Sequence, residues 1–179
     1  MTYRRDLWEI AAAQHGVVTV ADAEEAGVPA MEVRKLAGRG ALRSYGQGVY
    51  RHDDVPVDDL TEAAAAVALA GAGAHLHAEA VLMLFSLGDF NPRGVKVLTD
   101  RRVRRRLPPW VQLDRVSQID EGSKTQYFGI PAVSLTHALQ EVRGGVPPHR
   151  WESMVETAER RDLLDVREVA DLRAGLCPR

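Results

Sequence analysis

A chain of 179 residues, 45% hydrophobic and 27% charged, is an ordinary globular sequence, long enough to bury a core and to form one or two domains. It contains no apolar run near the ~18 residues of a membrane span, no apolar leader core in its opening MTYRRDLWEI, and one cysteine, Cys177; membrane partners, an internal disulfide and a Cys-based zinc site are excluded, and the reading is cytoplasmic. The net charge of −2 excludes a uniformly basic nucleic-acid coat, yet residues 28–52 hold five cations against one anion.

In chain order, Tyr3–His15 reads as a helix with Leu7, Ile10, Ala11 and Gln14 on one side and Gly16 at its end. Thr19 is placed to cap a two-turn helix, Val20–Ala26, with Asp22 at the third position and Gly27 after it. Pro29 suits the first position of a third helix, which runs to Arg39 and stops at Gly40. Two short helices joined by a tight glycine turn are a helix-turn-helix pattern. The runs Ala41–Tyr45 and Val49–Arg51 flank Gly46-Gln47-Gly48 and predict a hairpin, which makes the unit winged. Residues 1–52 thus form the expected first domain, and the acidic residues 53–59 a linker.

Residues 60–179 predict an α-rich α+β domain with a small sheet. Asp59 with Glu62 resembles a capping box opening an alanine-rich helix to about Ala70. GAGAH breaks that helix, and a second is expected over about Leu76–Leu87, ended by GDFNP. Strand-like runs follow at Val95–Thr99, Val111–Val116 and Lys124–Phe128. Ser134 starts a helix to about Val142. Pro147-Pro148 start another, with Trp151, Met154, Val155 and Ala158 at helical spacing, and Asp165 with Glu168 caps the last.

On the third helix, Ala30, Val33, Leu36, Ala37 and Gly40 share one face. Met31, Arg34, Lys35, Gly38 and Arg39 lie around the other. Three cations and a glycine on an outer face allow close approach to a polyanion, although a solvated face has the same composition. In helix-turn-helix proteins this helix enters the major groove. Arg34 and Lys35 are then suited to guanine edges or phosphates, and Arg39 to a phosphate. In the hairpin, Leu42 and Val49 are expected beneath the helices, with Arg43 and Arg51 pointing off the arms. The tip Gly46, Gln47 and Gly48 is thin enough for minor-groove contact.

The stretch GVVTVADAEEAGVPAMEVRKLAGRGALRSYGQGVYR resembles the N-terminal winged helix of AbiEi-like antitoxins. Leu36, Arg39-Gly40, Leu42 and Gly48-Val49-Tyr50 carry the likeness. AEAVLMLFSLGDFNP and GIPAVSLTHALQEV are similar to later family segments. The resemblance implies an antitoxin of an AbiE abortive-infection, or type IV, system. Its implied partners are double-stranded operator DNA with inverted repeats, through which it represses its own operon, and a cognate nucleotidyltransferase-like toxin. Neither a cofactor nor a catalytic function is expected.

Two rival readings are a ligand-responsive regulator without a toxin and a metal-dependent nuclease. Lys96, Asp100 and Asp114 are the best nuclease candidates, but they form no compact motif. His75 and His77 lack a third ligand for zinc, and His77 near Glu79 reads as a capping or surface group, so no metal is expected. Five arginines in six residues, Arg101, Arg102, Arg104, Arg105 and Arg106, predict a loop that contacts the toxin or a second stretch of DNA.

Overall fold

The computed structural model describes residues 2–175, so Cys177 lies outside the described residues. The chain divides into two compact units: residues 1–72 with 102–111, and residues 73–101 with 112–179. The protein is α+β, with a three-stranded and a five-stranded sheet.

The first unit begins with α1 (Tyr3–Ala13), whose Leu7 and Ala11 are fully buried. Strand β1 (Val17–Thr19) leads into α2 (Val20–Glu25). The turn between them is set by a reciprocal capping box: the Asp22 amide donates to Thr19 Oγ1 at 3.0 Å, and the Thr19 amide to Asp22 Oδ2 at 2.8 Å. Helix α3 (Ala30–Gly38) follows, with Pro29 at its N-cap rather than inside its first turn. Strands β2 (Leu42–Gly46) and β3 (Val49–His52) form the hairpin, and the sheet order is β1-β3-β2, all antiparallel. Three helices and a hairpin in this order make a winged helix-turn-helix.

Strand alternation divides the residues of this sheet. Val18, Leu42 and Tyr50 join Leu7, Ala11, Ala23, Val28, Val33 and Val55 in the core under the helices. Val49, expected there with Leu42, is buried on the opposite face with Val17. Helix α4 (Thr61–Ala70) packs on all three strands. Seven of its ten residues are buried, which its alanine-rich composition permits on every side.

The domain boundary therefore differs from the one expected at 53–59, because α4 belongs to the first unit. The acidic stretch is also tied down. Asp53 pairs with Arg43 and Arg51, and Asp54 with Arg4. Val55 is buried, and Asp58 Oδ1 accepts bonds from the Leu60 amide and the Thr61 hydroxyl at the start of α4. Leu60 is the N-cap of α4 and no side chain caps it, so the capping box expected from Asp59 and Glu62 does not form.

The second unit holds a five-stranded sheet, order β6-β5-β4-β8-β7: β4 (Ala74–Leu76), β5 (Val95–Thr99), β6 (Val111–Arg115), β7 (Lys124–Tyr127) and β8 (Ile130–Val133). Strand β4 runs antiparallel to β5 and parallel to β8. Where one helix is expected over 76–87, the chain forms β4 and then the short α5 (Glu79–Leu84). Helices α6 (Leu135–Val142), α7 (Pro148–Arg160) and α8 (Val166–Ala174) follow. Trp151, Met154, Val155 and Ala158 are buried, as their spacing requires. The Trp151 indole donates to the Leu139 carbonyl at 2.7 Å, with the Arg143 guanidinium stacked 4.6 Å from its ring centroid. Asp165 and Glu168 complete the capping box of α8.

Candidate nucleic-acid interface

The outer face of α3 is built by burial of its inner one. Val33 is fully buried, and Leu36 and Ala37 pack against the same core. This turns Met31, Arg34, Lys35, Gly38 and Arg39 to solvent, with Met31 63% exposed. Lys35 is held by Glu32 at 2.7 Å, one helical turn back. Neither Arg34 nor Arg39 has an ion-pair partner among the described residues. A Cβ added to Gly38 would meet open space, so nothing within the chain requires glycine there.

The hairpin differs from a free, thin wing. Arg51, expected as an outward cation, is 8% exposed. Its Nη1 donates to the Val55 carbonyl at 2.8 Å, and its Nη2 to Asp53 at 3.1 Å. Strand alternation sends this side chain to the sheet face opposite the helices, where it binds the chain segment that follows β3. Arg43 stays exposed but pairs with the same Asp53 carboxylate at 2.8 Å.

The tip is partly covered. A Cβ on Gly46 would lie 2.5 Å from Leu69 Cδ2 and 3.7 Å from Pro108 Cγ. Gly46 is thus required by the approach of α4, independently of any ligand. Gln47 is exposed, and its carbonyl accepts from Arg105 Nη1 at 3.3 Å. Gly48, with φ +76°, makes the turn that glycine allows most readily. Tyr45 meets Trp110 edge to face at 5.9 Å.

Behind the hairpin, His52 is fully buried in a network that fixes its tautomer. Nδ1 accepts from the Asp54 amide at 3.2 Å, so Nε2 carries the proton and donates to the Arg4 carbonyl at 3.2 Å. Burial holds its pKa below the ordinary value of 6.5; the Arg4 carbonyl and the Asp54 carboxylate oppose this but do not outweigh it.

Two of the three nuclease candidates are engaged elsewhere. Lys96 pairs with Glu79 at 3.0 Å, and Asp114 lies 3.1 Å from His77 Nε2. His77 is a buried residue, rather than a capping or surface group. Its Nδ1 is 3.1 Å from Glu141, whose second oxygen accepts from the Ala78 amide at 2.8 Å. Ala78 has φ +49°, an uncommon backbone for alanine, and Glu141 fastens it at the start of α5. Burial raises the Glu141 pKa, but bonds from His77 and Ala78 and the nearby histidines outweigh it and hold the carboxyl below its usual value. His77 Nε2 has no hydrogen-bond partner among the described residues, although Asp114 Oδ2 lies 3.1 Å away. No group of three metal-ligating side chains occurs among the described residues. No described helix is long and apolar enough to cross a membrane.

Residues 5–51 match a family model described as transcriptional regulator, AbiEi antitoxin. Over 99% of its length the chain is similar to the crystal structure of the RV2827C protein from Mycobacterium tuberculosis, covering 73% of that chain at 18% identity with a TM-score of 0.49. No curated protein matches the sequence.

Proposed function

We propose, supported by the match of residues 5–51 to the AbiEi antitoxin regulator model, that this protein binds operator DNA, represses its own operon and antagonises a cognate nucleotidyltransferase-like toxin of a type IV system. The observation that carries the DNA-binding reading is the pair Arg34 and Arg39, exposed without ion-pair partners among the described residues, on a helix whose other face is locked into the core. An α-helix fits the major groove, and its early residues meet base edges. Arg34, midway along α3, reads a base. Arg39, at its C-cap, holds a phosphate, and Gly38 allows the backbone close approach. Arg43 and the Gln47–Gly48 turn contact the neighbouring backbone. The role is that of a non-catalytic binding protein.

The test is fluorescence anisotropy of the full chain on its own promoter region and on a scrambled duplex of equal length. Arg34→Ala should cost about 1–3 kcal/mol on the promoter and relax the preference between the duplexes. Arg39→Ala should weaken both alike. Identical behaviour of the two variants would refute this division, and wild-type affinity insensitive to salt would refute groove docking.

A further inference from the structure

The arginine run does not stay with the strands that precede it: residues 102–111 return to the first unit. There the segment is fastened to the hairpin. Arg105 donates to the Gln47 carbonyl, Trp110 meets Tyr45 edge to face, and Pro108 lies beside Gly46. Arg102, Arg104, Arg105 and Arg106 are all exposed.

We propose that Arg102, Arg104 and Arg106 form a phosphate clamp that continues the hairpin, so that the wing is a composite of two chain segments. This rests on the DNA-binding reading above. Residues 102–111 contain no carboxylate, and the three arginines have no ion-pair partner among the described residues. Arg4 is matched with Asp54, and Arg43 and Arg51 with Asp53, so among the described residues of this unit the three share their unmatched state with Arg34 and Arg39 of α3. Unmatched cations two residues apart repel one another, and a polyanion removes that repulsion. Residues 102–110 are irregular, with neither helix nor strand to aim side chains along a groove. It is therefore suited to phosphates, which position the protein, while α3 reads bases. Its place beside Gln47 favours DNA over the toxin as the partner.

Full-length Arg102→Gln/Arg104→Gln/Arg106→Gln, with Arg105 kept to hold Gln47, is titrated on the promoter and scrambled duplexes across salt, with a thermal melt as the folding control. Affinity for both duplexes should fall by the same factor, about 10–100-fold near physiological salt. The log–log salt slope should lose about 2–3 units, and discrimination should not change. The corresponding Lys triple variant should recover most of the slope. A Gln variant with wild-type affinity and slope overturns the clamp, as does loss of discrimination. Wild-type DNA binding with lost rescue from the toxin would assign the segment to the toxin. If the wild-type protein binds neither duplex, the DNA-binding reading itself fails.

Discussion

Five cations in residues 28–52 look equivalent in the sequence, yet their surroundings give them different work. Arg34 and Arg39 have no ion-pair partner among the described residues, Lys35 leans on Glu32, and Arg43 and Arg51 share Asp53. Only strand parity, which the sequence shows weakly in a four-residue strand, turns Arg51 inward. Arg51→Ala would leave the Val55 carbonyl without its donor, at a cost of about 1–3 kcal/mol. Loss of DNA binding in that variant would therefore report folding. The neighbouring His52 gives the unit a pH dependence. Its folded pKa is depressed, so the unfolded chain takes up the proton first as pH falls. Stability should be highest with His52 neutral, decline as pH drops below about 6.5, and level off once pH passes below the depressed folded value. Thermal melts between pH 7 and pH 5 should show this decline in wild type and a flatter response in His52→Asn, which starts from lower stability. Equal pH slopes would show that His52 is not the group responsible.

Among the elements, the hairpin depends on what packs behind it. Gly46 looks like a tip residue selected for a groove, but Leu69 fills the space its side chain would occupy. Gly46→Ala should destabilise the first unit by about 1–3 kcal/mol through overpacking. Leu69→Ala in the same chain should recover part of that loss, because the two changes share one contact. Additive losses in denaturant unfolding would show that the clash is relieved elsewhere. This dependence was not legible, since no local pattern tells which distant leucine meets a turn. Three caps were: Thr19 with Asp22, Ser134, and Asp165 with Glu168 act within four residues, and each side chain bonds as its spacing predicts, whereas Asp59 with Glu62 forms no cap because α4 starts after Leu60. Strands β1, β4 and β8 were not. Three or four residues are too few to display alternation, and β8 carries Pro131, a residue that argues against an inner strand. The positive φ of Ala78, held by Glu141 from far along the chain, is what splits the expected 76–87 helix.

At the scale of the whole molecule, the chain crosses between its two units at 72/73, 101/102 and 111/112. A composition scan finds a linker only where acidic residues cluster. It cannot see that residues 102–111 return to the first unit, nor that Asp53, Asp54 and Asp58 are occupied in it. The core beneath the helices nevertheless closes within residues 7–55, which is why the winged helix was readable as a block. Because the units are interleaved in sequence, no single cut separates them, and substitutions are the proper test of divided function. The decisive measurement uses Arg34→Ala/Lys35→Ala/Arg39→Ala in the full chain, at protein levels matched to wild type, scored for repression of its own promoter and for rescue of cells expressing the toxin from an unrelated promoter. All three substitutions lie on the exposed face of α3 and leave the buried Val33 face intact. The account predicts that repression is lost and rescue retained. Loss of both at equal levels would contradict it, leaving a regulator whose protection comes only from silencing the toxin gene.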